Sequence, residues 1–142
     1  MSRFTAYFGK HLPEDVYGKL QELRAQQHTE MAGIIYDAMF KDLALAEQLD
    51  RPICQDTGVI QYFIEVGDRF PILGAIPEAL KEATRRATFN APLRHNAVQI
   101  FEEKNTGNNT GKRIPWLDWD IVPDSDECTI YAYMAGGGCS LP

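Results

Sequence analysis

The spacing of apolar residues predicts two amphipathic helices in the first third of the chain. One begins at Pro13, which a first helical turn tolerates, and its apolar residues recur three and four positions apart. The second follows Thr29, a residue favoured at N-caps, and extends to about Leu49. We expect its apolar stripe to pack on a later part of the chain, with Met31 and Met39 in the core. The stripe comprises Met31, Ile34, Ile35, Ala38, Met39, Leu43 and Ala46.

The period then changes from that of a helix to that of a strand. Val59 to Val66 alternates and predicts a strand whose buried face carries Ile60, Tyr62, Ile64 and Val66. Pro77 begins another helix that ends near Thr88. Trp116 to Val122 and Cys128 to Met134 predict two further strands, joined as a hairpin. The fold class is therefore α+β, with N-terminal helices followed by a mixed or antiparallel sheet and helices packed on a face. We expect residues 1–142 to form a single domain.

A chemically unusual segment, RPICQDTG, separates the second helix from the first strand at residues 51–58. Pro52 stops the preceding helix and Gly58 permits a turn. Between them Cys54, Gln55 and Asp56 follow one another without an apolar residue. One interpretation is an ordinary connecting loop with a half-buried cysteine. The other is a loop that presents Cys54 to a metal and Asp56 to a substrate.

Three later segments also carry groups that can bind anions. Arg94 precedes His95 and Asn96; its guanidinium suits a carboxylate, although a surface loop with a capping asparagine explains the same residues. An Asn-Thr-Gly near-repeat at 105–111 is either a connection or an anion site made of amides. The run Gly136, Gly137 and Gly138 allows close backbone approach to a ligand. No Lys-Ser/Thr pair follows it, so it is not a P-loop.

Composition narrows the classes of partner. The 142 residues are 44% hydrophobic and 24% charged, which is typical of a soluble globular protein. A net charge of −6 argues against nucleic acid. No apolar run approaches the roughly 18 residues of a membrane span, and no secretory leader is visible. Three cysteines without a C-x-x-C pair fit a reducing cytoplasm and form no self-contained zinc or iron–sulfur motif.

Taken in order, the segments PICQDTG, LRHN, the Asn-Thr-Gly near-repeat and MAGGGCSLP resemble the class I fumarase/tartrate dehydratase family, in particular its alpha subunits. The similarity runs from about Phe4 to Pro142. Family alpha subunits continue beyond the glycine run, so the chain resembles the N-terminal half of one and looks truncated. The resemblance implies reversible hydration of a dicarboxylic acid at a [4Fe-4S] cluster held by three cysteines.

What the resemblance implies for single residues is specific. Cys54 matches the first cluster ligand, whereas Cys128 and Cys139 match neither of the others, which lie beyond the chain. Asp56 matches a catalytic residue that supports a threonine base on the beta subunit. The substrate-binding matches are Gln55, Arg94, Gly136, Gly137 and Gly138. We therefore expect a hetero-oligomeric tartrate dehydratase that requires a beta subunit, or alternatively a fumarase, with this chain inactive alone. A non-catalytic association module is a further alternative.

Overall fold

The computed structural model describes residues 1–54, 56–99 and 101–136, and within them the chain forms helices and one three-stranded sheet. This arrangement confirms the predicted α+β class. The elements in chain order are α1 (Ser2–Phe8), α2 (Glu14–Ala25), α3 (Glu30–Leu49), β1 (Val59–Gly67), a 3-10 turn (Leu73–Ala75), α4 (Ile76–Asn90), β2 (Trp116–Val122) and β3 (Cys128–Ala135).

The first strand is the centre of the sheet, whose order is β2-β1-β3. β1 pairs in parallel with β2 and antiparallel with β3, so the predicted hairpin between β2 and β3 is wrong. The connection 123–127 is long enough to pass the end of an intervening strand, since it must span only about 10 Å, two strand spacings. Two hydrogen bonds join the end of β1 to this connection: Gly67 N donates to Glu127 O at 2.8 Å, and Asp68 N donates to Val122 O at 3.1 Å.

The predicted buried face of β1 is confirmed: Ile60, Tyr62, Ile64 and Val66 are each at most 2% exposed. Residues of α4, among them Leu80 and Ala87, pack against this face. α1, which the apolar pattern did not predict, packs on α4. Its Thr5 side chain shares a buried hydrogen bond of 2.9 Å with the Tyr62 hydroxyl, and Thr84 of α4 contacts the same hydroxyl at 3.2 Å.

The helix α3 begins and ends as predicted, but of its apolar stripe only Ala46 is buried. The Thr29 side chain accepts a hydrogen bond from Ala32 N, confirming the N-cap. Met31, Ile34 and Ile35 are nevertheless 67%, 58% and 53% exposed, and Met39 is also exposed. The reason is that α1 and α4 already cover the sheet face, while α3 packs mainly on α2 in the described part of the chain. None of the helices described has the length and apolar character needed to cross a bilayer.

Candidate functional site

The segment 51–58 is fixed between the end of α3 and the start of β1. Asp50 ends α3 in the left-handed conformation, with φ of 51°, and its carboxylate pairs with Lys10 Nζ at 2.6 Å. Ile53 N donates to Gly9 O at 3.2 Å, which ties the segment to the end of α1. Cys54 is exposed and Asp56 is half-buried. Gln55, predicted to bind substrate, lies outside the described residues. Cys54 and Asp56 are thus presented on an anchored loop.

Gly58 brings this loop against the end of β3. Its φ is +71°, and a Cβ built there would lie 2.0 Å from Ala135 O, closer than any side chain allows. The next residue, Gly136, is so near Asp56 that its own Cβ would lie 3.5 Å from Asp56 Oδ2. The structure therefore brings the first residue of the glycine run beside the Asp56 carboxylate. Gly137 and Gly138 lie outside the described residues.

The segment 94–96 meets the same loop from another side. Asn96 Nδ2 donates to Asp56 Oδ1 at 3.1 Å and to Gly58 O at 3.0 Å. Asp56 Oδ1 also accepts from Gly58 N at 3.1 Å. Thr57 Oγ1 contacts Arg94 O at 3.5 Å. The Arg94 side chain is exposed, and among the described residues its guanidinium has no hydrogen bond or ion pair. An unpaired surface arginine of this kind can bind a carboxylate bidentately.

The asparagine-rich loop has a role that the sequence did not predict. Asn109 is 4% exposed and adopts a positive φ of 56°. Its Nδ2 donates to Arg94 O at 2.8 Å and to Thr88 Oγ1 at 3.2 Å. Its Oδ1 accepts from Asn96 N at 2.7 Å. The Asn109 amide thus holds the backbone of the arginine segment instead of facing an anion. The sequence signal was available in the second Asn-Thr-Gly, but its partners are 13 to 21 residues away.

An open cleft of about 780 Å³ adjoins the loop, bounded by α1 and the end of β3. Cys54, Asp56 and Met134 line it, together with His11. His11 is half-buried, and its ring stacks on Tyr7 with centroids 4.3 Å apart. The sequence pattern gave no sign of this stack, because α1 was not predicted and His11 lies beyond its end. Aromatic side chains of α1, namely Phe4, Tyr7 and Phe8, therefore line the cleft together with the cysteine loop.

Cys54 and Cys128 lie near opposite ends of β3. Cys128 pairs with Val66 at the far end of β3, seven residues from Ala135, or about 23 Å at the rise of a strand. Burial raises the pKa of the Cys128 thiol, which disfavours the thiolate that binds metals. Cys139 lies outside the described residues, which contain no group of three or more metal-binding side chains. The exposed Cys54 thiol has the chemistry of an iron–sulfur cluster ligand, and it is the single cysteine of segment 51–58.

Comparisons with known proteins agree with these features. The family model for fumarate hydratase (fumerase) matches residues 1–142. The chain is 52% identical to the L(+)-tartrate dehydratase subunit alpha of Escherichia coli O157:H7 over all 142 residues, which is 47% of that protein. It is 31% identical to the putative L(+)-tartrate dehydratase subunit alpha of Methanocaldococcus jannaschii, over 90% of this chain and 46% of that protein. The chain thus spans about half the length of the curated relatives that it matches. It belongs to the fumarate hydratase (fumerase) family.

Proposed function

We propose that this chain contributes part of the active site of a [4Fe-4S]-dependent hydro-lyase that converts L(+)-tartrate to oxaloacetate and water. The observation that carries the proposal is the 52% identity, over the whole chain, to a protein named L(+)-tartrate dehydratase subunit alpha. The contacts among Asp56, Asn96 and Gly136 support it, since they join three of the segments on which the resemblance rests.

The reaction assigns a task to each group. Dehydration of tartrate breaks the C–O bond at one carbon and removes the proton from the other, and the resulting enol becomes the ketone of oxaloacetate. The substrate carries a carboxylate at each end. Arg94, exposed at the site, binds one of them as a bidentate ion pair. Gln55 and the backbone of Gly136, Gly137 and Gly138 line the substrate.

Asp56 serves the proton-transfer step. Its carboxylate supports the threonine base that a beta subunit supplies, and two donors already fix its Oδ1. An oriented carboxylate next to a base keeps that base in its productive position, which is the usual way for a third group to assist proton abstraction. The catalytic residue on this chain is therefore Asp56, and the reaction requires a hetero-oligomer with the beta subunit.

Cys54 holds the cluster. A thiolate is the ordinary ligand of iron–sulfur clusters, and Cys54 presents an exposed thiol to the cleft that Asp56 also lines. When bound, the cluster supplies a Lewis acid for the departing hydroxyl. With one ligand from this loop, the 142-residue chain alone forms no stable cluster and has no dehydratase activity. A reducing cytoplasm keeps such an exposed thiol available.

The first alternative is a class I fumarate hydratase that interconverts fumarate and malate, which the description of the matching family favours. The deciding experiment co-expresses the complete alpha and beta subunits, reconstitutes them anaerobically, and compares kcat/KM for L-tartrate and malate. We expect the larger value for L-tartrate. A larger value for malate would replace the proposed substrate.

The second alternative is a non-catalytic association module, for which the exposed apolar face of α3 is the relevant observation. Iron and sulfide analysis separates it from the enzyme. We expect a stoichiometric cluster in the assembled subunits and none in the 142-residue chain. A cluster in the chain alone would contradict the assignment of a single ligand, and assembled subunits without a cluster or activity would favour the module.

A further inference from the structure

The side chain of Asn96 is built into the candidate site in a way that its position in a loop did not suggest. Both of its amide donations end on the cysteine loop, at Asp56 Oδ1 and at Gly58 O. A side-chain amide has only two N–H donors, so both donors of Asn96 bind this loop. Its backbone N–H is used as well, since it donates to Asn109 Oδ1 at 2.7 Å. The residue is therefore a bridge between two loops.

These contacts help to orient the Asp56 carboxylate. Oδ1 accepts hydrogen bonds from Asn96 Nδ2 and from Gly58 N, both at 3.1 Å, and two donors on one oxygen fix the plane of the group. Once that plane is fixed, so is the position of Oδ2, which lies beside the backbone of Gly136. The Gly58 contact is local to the loop, whereas the Asn96 contact comes from 40 residues away.

The side chain of Asn109 holds the backbone of Asn96 in place. It is buried, and its amide joins Asn96 N, Arg94 O and Thr88 Oγ1 in α4. The same side chain thus positions the residue that orients Asp56 and the backbone of the residue that binds the carboxylate. A buried amide with all these partners satisfied resists displacement, because each lost contact would leave a desolvated polar group.

We propose that Asn96 and Asn109 are positioning residues of the dehydratase site: Asn96 orients the Asp56 carboxylate, and Asn109 couples that orientation to the placement of Arg94. The inference rests on the proposed function for the roles of Asp56 and Arg94. It assigns a separate kinetic effect to each asparagine. Loss of Asn96 acts on the chemical step and lowers kcat. Loss of Asn109 acts on both loops, so it raises KM in addition.

The test uses the complete alpha subunit assembled with its beta subunit and cluster, with activity normalised to cluster content. For Asn96→Ala we expect kcat to fall about 10- to 100-fold with KM within about twofold, the effect of losing one hydrogen bond to a charged group. For Asn109→Ala we expect a similar fall in kcat and a rise in KM of about tenfold. Asn96→Leu keeps about the same side-chain size and has no hydrogen-bond donor, so it should lower kcat as the alanine variant does.

The matched control is Asn108→Ala in the same loop. The Asn108 side chain accepts only from Thr110, through its N–H at 3.0 Å and its hydroxyl at 2.8 Å, among the described residues. Its loss should change the melting temperature while leaving kcat and KM within about twofold of the wild type. If Asn96→Ala and Asn108→Ala reduced kcat equally, Asn96 would be merely structural. If Asn96→Ala did not assemble, Asn96→Leu would decide in its place.

A crystal structure of the Asn96→Ala protein supplies a readout that does not depend on turnover. We expect the Asp56 carboxylate to rotate away from the orientation in which Oδ2 adjoins Gly136. An unchanged carboxylate would overturn the inference even if kcat had fallen. If the wild-type assembly dehydrated no dicarboxylic acid, the proposed function would fail, and the orientation of Asp56 in the variant would still decide whether Asn96 positions it.

Discussion

Replacing Gly58 with alanine tests the contact that brings the cysteine loop to the end of β3. Two costs add at this position. Alanine at a φ of +71° is strained by about 1–2 kcal/mol. Its Cβ would also lie 2.0 Å from Ala135 O and 2.5 Å from Gly136 N, both backbone atoms that cannot rotate away. Separating the two segments breaks one or two backbone hydrogen bonds at about 1 kcal/mol each. We expect the free energy of unfolding to fall by about 2–4 kcal/mol, less the entropy that alanine removes from the unfolded chain.

Gly107 provides a matched control because it has the same φ of +71°, and no atom of the described residues lies within 4 Å of an added Cβ. Gly107→Ala therefore carries the backbone strain alone, about 1–2 kcal/mol, less the entropy that alanine removes from the unfolded chain. Urea denaturation of both variants, followed by circular dichroism, measures the difference, which we expect to be about 1–2 kcal/mol from the broken hydrogen bonds. Equal destabilisation of the two variants would show that the loop and the end of β3 do not make this contact.

Three further predictions concern the core, the exposed helix and the thiols. Tyr62→Phe should lower the free energy of unfolding by about 1–2 kcal/mol, because two threonine hydroxyls lose a buried partner. Burial raises the pKa of Tyr62, so Tyr62 ionises at a lower pH in the unfolded chain than in the folded one. The free energy of unfolding should therefore fall as the pH rises above about 10, and Tyr62→Phe should weaken this fall. Identical pH profiles of the two proteins, measured by denaturation, would contradict the assignment. Ile34→Glu, on the exposed face of α3, should change the free energy of unfolding of the 142-residue chain by less than about 0.5 kcal/mol. Ala46→Glu, at a buried position of the same helix, should lower it several times more. Comparable losses of the two variants in thermal melts would refute the placement of α3. Iodoacetamide should alkylate Cys54 about tenfold faster than Cys128, because burial raises the pKa of Cys128 and so reduces its thiolate fraction. Peptide mass spectrometry measures the two rates. Equal rates would contradict the difference in burial between the two thiols.

The sequence determined the elements whose signals are local. The period of two in β1 identified its buried face, since a strand between two others must place alternate side chains on one side. Thr29 marked the start of α3 because an N-cap is a contact between residues three apart. The motif around Cys54 and Asp56 pointed to the family through residues that are adjacent in the chain, and the family match agreed with it.

Only the tertiary structure decided which elements meet. The order of β2, β1 and β3 depends on which edge of the central strand each later strand occupies, and turn chemistry at 123–127 does not encode that choice. The apolar stripe of α3 predicted burial, but periodicity identifies only the apolar face of a helix and not the element that covers it. In the structure, α1 and α4 pack on the sheet, and α3 packs mainly on α2. In the same way, the sequence supplied Asp56, Asn96 and Asn109 as separate loop residues. Their hydrogen bonds span 13 to 40 positions, so the site they form appears only when the chain folds.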